Sequence, residues 1–203
     1  MQQHAWDPAR FDALYGRSDD PWALEGSWYE QRKRALLLAS LPQRHYASAF
    51  EPGCAQGLLT EQLAQRCDLL LAGDCAPRAL ASAARRLQGR TGVRLEHIAL
   101  PQDWPEQGFD LVVLSELLYY LSPVQLDLVV ARLLATPGAA LTLVACHWCP
   151  RIEGCALSGA EVHARLRTAL PWPLACSVDD ADFALDVWVR GGNASLAQEE
   201  GRI

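Results

Sequence analysis

Residues 49–64 read AFEPGCAQGLLTEQLA: a short apolar run ends on an acid, passes Gly53 and Gly57, and continues in a helical pattern. This is a strand-to-helix turn, with glycines where backbone can come close to a ligand. A dinucleotide-binding turn carries GxGxxG so that a pyrophosphate can settle on the helix N-terminus, and the middle glycine of that pattern is absent here. A P-loop is excluded too, because no Gly-Lys-Ser/Thr follows the turn. Glu51, placed directly before the glycines, repels a phosphate and suits an amine or another positive charge. The second apolar run, LLLAGD, ends at Asp74, where an acid can accept hydrogen bonds from both hydroxyls of a ribose. Two acids therefore frame one nucleoside site without a phosphate reader. S-adenosylmethionine, with a sulfonium, an ammonium, a carboxylate and no phosphate, has the matching chemistry.

Outward from the corner, strand-like and helix-like stretches alternate: YASAF, LLTEQLAQRC, LLLAGD, PRALASAARRL, VRLEHIAL, FDLVVLS, PVQLDLVVARLLA and AALTLVAC. The apolar runs are continuous rather than alternating, as in strands covered by helices on both faces. They predict an α/β fold, a Rossmann-like doubly wound sheet, with right-handed crossovers. After Cys146 the pattern changes to a loop, the helix SGAEVHARLRTAL, and the runs LACSV and FALDVWVR joined by the acidic turn DDAD. That reads as a terminal hairpin adding an antiparallel strand, so the sheet is predicted to hold seven mostly parallel strands. Ser27 followed by Glu30 predicts a capping box ahead of a helix that Pro42 closes. Residues 1–41 read as an N-terminal helical cap on a single domain spanning 1–190, and 191–203 as a small, polar, unstructured tail.

The chain has 203 residues, 18 Lys and Arg against 24 Asp and Glu, and a formal net charge of −6. That balance disfavours nucleic acid as a partner and favours a small molecule. No apolar run approaches the roughly 18 to 20 residues that span a bilayer, and the first residues lack the basic and apolar segments of a secretory signal, so a cytoplasmic protein is expected. Seven cysteines, several inside apolar runs, read as reduced thiols packed as small hydrophobes. CHWC at 146–149 has the spacing of one half of a zinc knuckle, but no second closely spaced pair accompanies Cys155 and His163, so no metal is expected. Trp6, Trp22, Trp28, Trp104, Trp148 and Trp172 fall in or beside loops, which predicts an aromatic-lined cleft. Residues at the carboxyl ends of strands face the ligand crevice of such a sheet. His147 is the first choice there for a base or acceptor-positioning group, with Glu116 and Tyr120, and Tyr119 beside it, as further acceptor-side groups.

With these residues in view, EPGCAQG, GDCA and FDLVVLSELLYYL resemble motifs of the class I S-adenosylmethionine-dependent methyltransferases. DPWALEGSWYEQRKRALLLASLP, SELLYYL and CHW followed by LSGAEVH are similar to the nodulation protein S family of N-methyltransferases, over roughly residues 11–190. The resemblance implies S-adenosyl-L-methionine as cofactor, S-adenosylhomocysteine as product, and a small-molecule acceptor of the amino-sugar, chitooligosaccharide type. It implies that Glu51, Gly53, Cys54 and Gly57 shape the methionine side of the pocket and that Asp74 and Cys75 hold the ribose. Ile98, Ala99 and Ser115 flank the adenosyl group, and Tyr29 and Arg32 reach in from a lid that also includes Trp22. His97-Ile98-Ala99-Leu100 replaces the family's usual acid-then-apolar pair, which leaves the adenine amine to backbone groups near Ile98 or to Asp103. An O-methyltransferase of a carboxylate or hydroxyl metabolite, or a non-catalytic nucleoside-binding protein, are the competing readings. The protein is expected to act as a monomer or dimer, without membrane or nucleic-acid partners.

Overall fold

In the computed structural model, residues 6–191 and 195–203 are described. The sheet has seven strands in the order β3-β2-β1-β4-β5-β7-β6: β1 Tyr46–Pro52, β2 Cys67–Asp74, β3 Val93–His97, β4 Leu111–Ser115, β5 Leu141–Trp148, β6 Leu174–Asp179 and β7 Phe183–Arg190. β1 to β5 pair in parallel, and β7 runs antiparallel to both β5 and β6. The order reverses between β1 and β4, so the carboxyl ends of these strands open the crevice in which such sheets bind ligands.

Helices cover both faces: α1 Pro8–Tyr15, α2 Trp28–Ser40, α3 Leu58–Leu63, α4 Pro77–Arg86, α5 Pro123–Ala135 and α6 Gly159–Ala169. Successive strand residues serve opposite cores, because the side-chain period of a strand is two. Phe50, Val112, Leu114 and Leu143 pack with Leu126, Val129 and Leu166 of α5 and α6. Their neighbours Ala49, Leu111, Val113 and Val144 pack with Leu37 of α2 and Leu63 of α3. Burial on both faces explains why the strand sequences are uninterrupted apolar runs.

Three local differences from the sequence reading have physical causes. Ser27 accepts the Glu30 N–H at 3.4 Å, but the reciprocal half of the capping box is missing because the Glu30 carboxylate takes Lys33 Nζ at 2.9 Å instead. α3 stops at Leu63, well short of Cys67, which opens β2. The intervening Arg66 turns its guanidinium onto the carbonyls of Leu38, Leu41 and Gln43, the unsatisfied acceptors at the end of α2. In the tail, residues 192–194 lie outside the described residues. Leu196–Glu199 forms one helical turn, α7, closed by a reciprocal Ser195–Gln198 capping box, where an unstructured segment was expected.

The C-terminal half is held by a buried carboxylate. Asp186 of β7 is fully buried and accepts from His163 Nδ1 at 2.7 Å, Arg167 Nε and Nη2 both at 2.8 Å, and Ser177 Oγ at 2.7 Å. Burial alone would raise its pKa, but the donors from His163, Arg167 and Ser177 prevail and hold it below the ordinary carboxylate value. Its contribution is therefore complete above the unfolded carboxyl's titration at roughly pH 4 and is lost as pH falls toward the native value. Asp186→Ala is expected to cost about 3 kcal/mol at neutral pH, since it strands buried donors. Urea denaturation from neutral pH down to about pH 3 should show the variant starting lower and declining less steeply than the parent.

Candidate functional site

The corner after β1 is fixed by backbone groups of the next strand. The N–H groups of Gly53 and Cys54 donate to the Gly73 carbonyl at 2.7 and 2.9 Å, and the Ala55 N–H donates to Asp74 Oδ2 at 3.0 Å. Asp74 Oδ1 accepts the Ala76 N–H at 2.9 Å, so one carboxylate ties the end of β2 to the corner and to the start of α4. Gly53 has φ +77, a left-handed conformation that favours glycine, and Ala55 adopts the same region at φ +51. Gly57, φ +81, serves packing instead, since a Cβ there would press on Ala83 and Leu87 at 3.2 to 3.3 Å. It permits the close approach of α3 to α4 and does not line the cavity, contrary to the ligand role expected of it.

The strand ends open into a cavity of about 460 Å³, within the range of small-molecule sites. Glu51, Gly53, Cys54, Asp74, Cys75, Ile98, Ala99 and Ser115 all line it. Glu51 is 3% exposed, and its Oε2 is buried without a hydrogen-bond partner. Burial pushes its carboxyl up to about 8, with the Thr60 side chain pulling it down and the charge of Asp74 adding to the rise. Asp74 is raised as well, by burial first, while the N–H groups of Ala76 and Ala55 pull the other way. Burial likewise pushes the Cys75 thiol up to about 12, which keeps it protonated. Asp103 spends Oδ2 on the Ala99 N–H at 2.9 Å, whereas Gln102 borders the cavity.

Glu116 and Tyr120 line the same cavity, with Lys33, Tyr119, Trp6 and Phe11. Glu116 stands at φ +53 immediately after β4, strained for a residue with a Cβ. Its Oε1 accepts Lys33 Nζ at 2.8 Å, and its Oε2 accepts the Tyr119 hydroxyl and the Trp148 N–H, the latter at 3.3 Å. Lys33 also binds Glu30 at 2.9 Å, so one buried ammonium sits between two carboxylates. Burial would lower the Lys33 pKa, but Glu116 and Glu30 outweigh it and keep the group charged. Arg34, which also lines the cavity, comes within 4.0 Å of Glu30, so the charges of Glu30, Glu116, Lys33 and Arg34 balance. Rings of Trp6, Phe11 and Tyr120 meet there with centroids 4.8 to 5.2 Å apart.

Other expected site residues lie elsewhere. His147 is fully buried within β5 and does not line the cavity; its Nε2 accepts the Leu118 N–H at 3.2 Å, and its Nδ1 meets His163 Nε2 at 3.1 Å. Burial first, then the neighbouring His163 and Lys33, drive its pKa well below the usual imidazole value. Arg32 points away to Asp180 at 2.8 Å, and Tyr29 packs edge-on against Trp148 and Phe183. On α2 the cavity side belongs instead to Glu30, Lys33, Arg34 and Leu37. Among the tryptophans only Trp6 and Trp22 line the cavity; Trp28 is exposed, Trp104 is core, and Trp148 and Trp172 are partly buried against that core. Tyr15 was not anticipated: it is buried at the cavity wall with an unpartnered hydroxyl, and burial followed by the charge of Asp74 raises its pKa. Its only sequence signal is the spacing of Phe11 and Tyr15 on one face of α1.

Among the described residues no cluster of three or more His, Cys, Asp or Glu could hold a metal ion, and no helix is long and apolar enough to cross a membrane. The family described as Nodulation protein S (NodS) matches residues 14–136. Nodulation protein S of Rhizobium tropici is 38% identical over 128 residues, 61% of this chain and 54% of that protein. The Sinorhizobium fredii protein is 37% identical over 53% of this chain and 50% of its own length. The chain therefore spans about half the length of the curated relatives it matches. A Pseudomonas syringae protein described as a candidate methyltransferase is 41% identical, with TM-score 0.72, over 81% of this chain and all of its own. The N-methyltransferase NodS of Bradyrhizobium japonicum WM9, solved in complex with S-adenosyl-L-homocysteine, shares the fold: TM-score 0.79 at 24% identity, over 92% of this chain and 100% of that one. With more than half its length matched by the family and its sheet shared with a family structure, the chain belongs to the nodulation protein S family.

Proposed function

We propose that the protein is an S-adenosylmethionine-dependent methyltransferase acting on a small amine, with amino sugars as the first class to test. The observation that carries this reading is the Glu51 carboxylate, buried with Oε2 unpartnered at the wall of the cavity, on a corner whose residues 51–57 include no Lys or Arg. A buried acid in such a place suits a ligand that brings a cation and no phosphate. Glu51 would pair with the ammonium of the methionyl group, alongside Gly53 and Cys54. Each Asp74 oxygen accepts one backbone N–H and retains acceptor capacity for a ribose hydroxyl. Cys75, Ile98 and Ala99 would flank the adenine, with Gln102 at its edge and Ser115 near the sulfur. Family membership and the S-adenosyl-L-homocysteine complex of the Bradyrhizobium protein support the same assignment.

When bound, S-adenosylmethionine supplies a methyl group activated by a sulfonium. What remains for the chain is to align an acceptor, exclude water and leave the acceptor nitrogen with a free lone pair. Glu116 is the group proposed to hold the amine and receive its proton, directly or through water, since it is a carboxylate at the cavity wall held in place by Lys33, Tyr119 and the Trp148 N–H. Trp6, Phe11 and Tyr120 offer aromatic faces for a cation or a sugar ring.

Asp74→Ala should weaken S-adenosylhomocysteine binding by about 10- to 100-fold, the equivalent of losing hydrogen bonds to a charged group, as read by calorimetry. Unchanged affinity would remove Asp74 from the cofactor site. Because the Glu51 carboxyl is pushed up to about 8 in the free protein, it must release its proton to meet an ammonium. Affinity for S-adenosylhomocysteine should therefore rise as pH increases from about 6 toward 8, with proton release near neutral pH, and Glu51→Gln should abolish both. Incubation with methyl-labelled S-adenosylmethionine and a panel of glucosamine oligomers, simple amines, carboxylic acids and hydroxylated metabolites should label an amine. Label confined to the acids or hydroxyl compounds would replace N-methylation by O-methylation.

A further inference from the structure

The buried His147–His163 pair takes no part in binding at the cavity, yet both imidazoles are almost completely excluded from water. Buried polar side chains are costly unless each donor and acceptor is used, and here the donor assignments follow from one fixed point. A backbone N–H can only donate, so the Leu118 N–H at 3.2 Å requires a lone pair on His147 Nε2. Neutral His147 then carries its proton on Nδ1 and donates it to His163 Nε2 at 3.1 Å. His163 in turn donates Nδ1–H to Asp186 Oδ2 at 2.7 Å, and Asp186 is oriented by Arg167 and Ser177. Every link has one direction.

The receiving end of this relay is the start of the 3-10 helix Leu118–Tyr120. Leu118 supplies one of the N–H groups that a helix start leaves without an internal partner, and His147 acts as its cap from the neighbouring strand. That turn carries Tyr119 and Tyr120 and follows Glu116, whose left-handed backbone is held by its N–H to the Cys146 carbonyl at 2.8 Å. Leu117, between them, is the side chain nearest to a Cβ built on Gly53, at 3.3 Å, so the same turn abuts the glycine corner.

We propose that His163, acting through the tautomer of His147, is a positioning residue that sets the turn bearing Glu116, Tyr119 and Tyr120. The functional part rests on the proposed reading of that turn as the acceptor side of a methyltransferase; the tautomer relay does not. An apolar residue at 163 would leave the His147 proton free to move to Nε2, where it would face the Leu118 N–H donor to donor. The turn would then lose its cap. Glutamine, with an amide oxygen to accept and an amide nitrogen to donate, can replace both links.

The test uses the full chain as the parent, His163→Phe and His163→Gln. Nitrogen-15 NMR should find His147 with Nδ1 protonated in the parent and in His163→Gln, and with Nε2 protonated in His163→Phe. Hydrogen exchange at the Leu118 amide should rise about tenfold or more in His163→Phe alone, a local opening against the parent's protection. With methyl-labelled S-adenosylmethionine and deacetylated chitooligosaccharide, His163→Phe should lose about 10- to 100-fold in kcat, with S-adenosylhomocysteine affinity within about twofold and recovery in His163→Gln. Urea midpoints separate these effects from simple unfolding. A parent His147 protonated on Nε2, or Leu118 exchange unaffected by His163→Phe, would overturn the relay. An altered tautomer and exchange with unaltered turnover would overturn the positioning role. If the parent itself transfers no label to any amine, the methyltransferase reading fails, and the NMR arm still decides the relay.

Discussion

The arrangement at the crevice depends on keeping an unpartnered carboxylate buried at the end of β1. Glu51 sits beneath the glycine turn with a second acid, Asp74, near enough to raise its pKa further. Such a pair is costly in the free protein, and the chain tolerates it because the surrounding backbone is heavily committed. The Gly73 carbonyl takes the N–H groups of Gly53 and Cys54, and Asp74 takes those of Ala55 and Ala76. The corner therefore cannot collapse over Glu51 without breaking the hydrogen bonds of Gly53, Cys54 and Ala55 to the end of β2. A ligand that brings an ammonium would relieve what the fold leaves unsatisfied.

The wall of the cavity around Glu116 is built on another principle. There the acid is paired: Glu116 meets Lys33, Lys33 meets Glu30, and Glu30 meets Arg34, a balanced cluster rather than a lone buried charge. The turn that presents Glu116 is strained, and strain persists only where neighbours over-determine it. Cys146 holds its backbone, Tyr119 and the Trp148 N–H hold its carboxylate, and His147 caps the following helical turn. The wall around Glu51 thus holds a buried carboxylate oxygen without a partner. The wall around Glu116 is preorganised around charges it already has.

Much of this was legible in the sequence because it follows from local rules. Continuous apolar runs between helical patterns gave the order of strands and helices, and DDAD between LACSV and FALDVWVR gave the hairpin that makes β7 antiparallel. The incomplete glycine pattern and Glu51 pointed to a phosphate-free ligand. What escaped was set by side-chain direction across elements. On α2, Arg32 faces β7 and Asp180 while its immediate neighbours Lys33 and Arg34 face the cavity, and no spacing rule says which side of a helix meets the crevice. His147 stands at a strand end in the sequence, but β5 continues through it to Trp148, so its ring enters the core. Its partner His163 lies 16 residues away on α6, and only the fold brings the two together. Tyr15 was hidden for the same reason, in a segment whose sequence showed a cap but not what the cap would present.

On the proposed function, Glu51 reads the ammonium of the ligand. The most direct measurement is a double-mutant cycle by calorimetry, pairing the parent and Glu51→Gln with S-adenosylhomocysteine and with its analogue lacking the α-amino group. Removing the amine should weaken binding to the parent by about tenfold or more and have little further effect on Glu51→Gln, a coupling of about 1.4 kcal/mol or greater. Equal losses in the two proteins would mean that the ammonium and Glu51 do not meet, and would contradict the account.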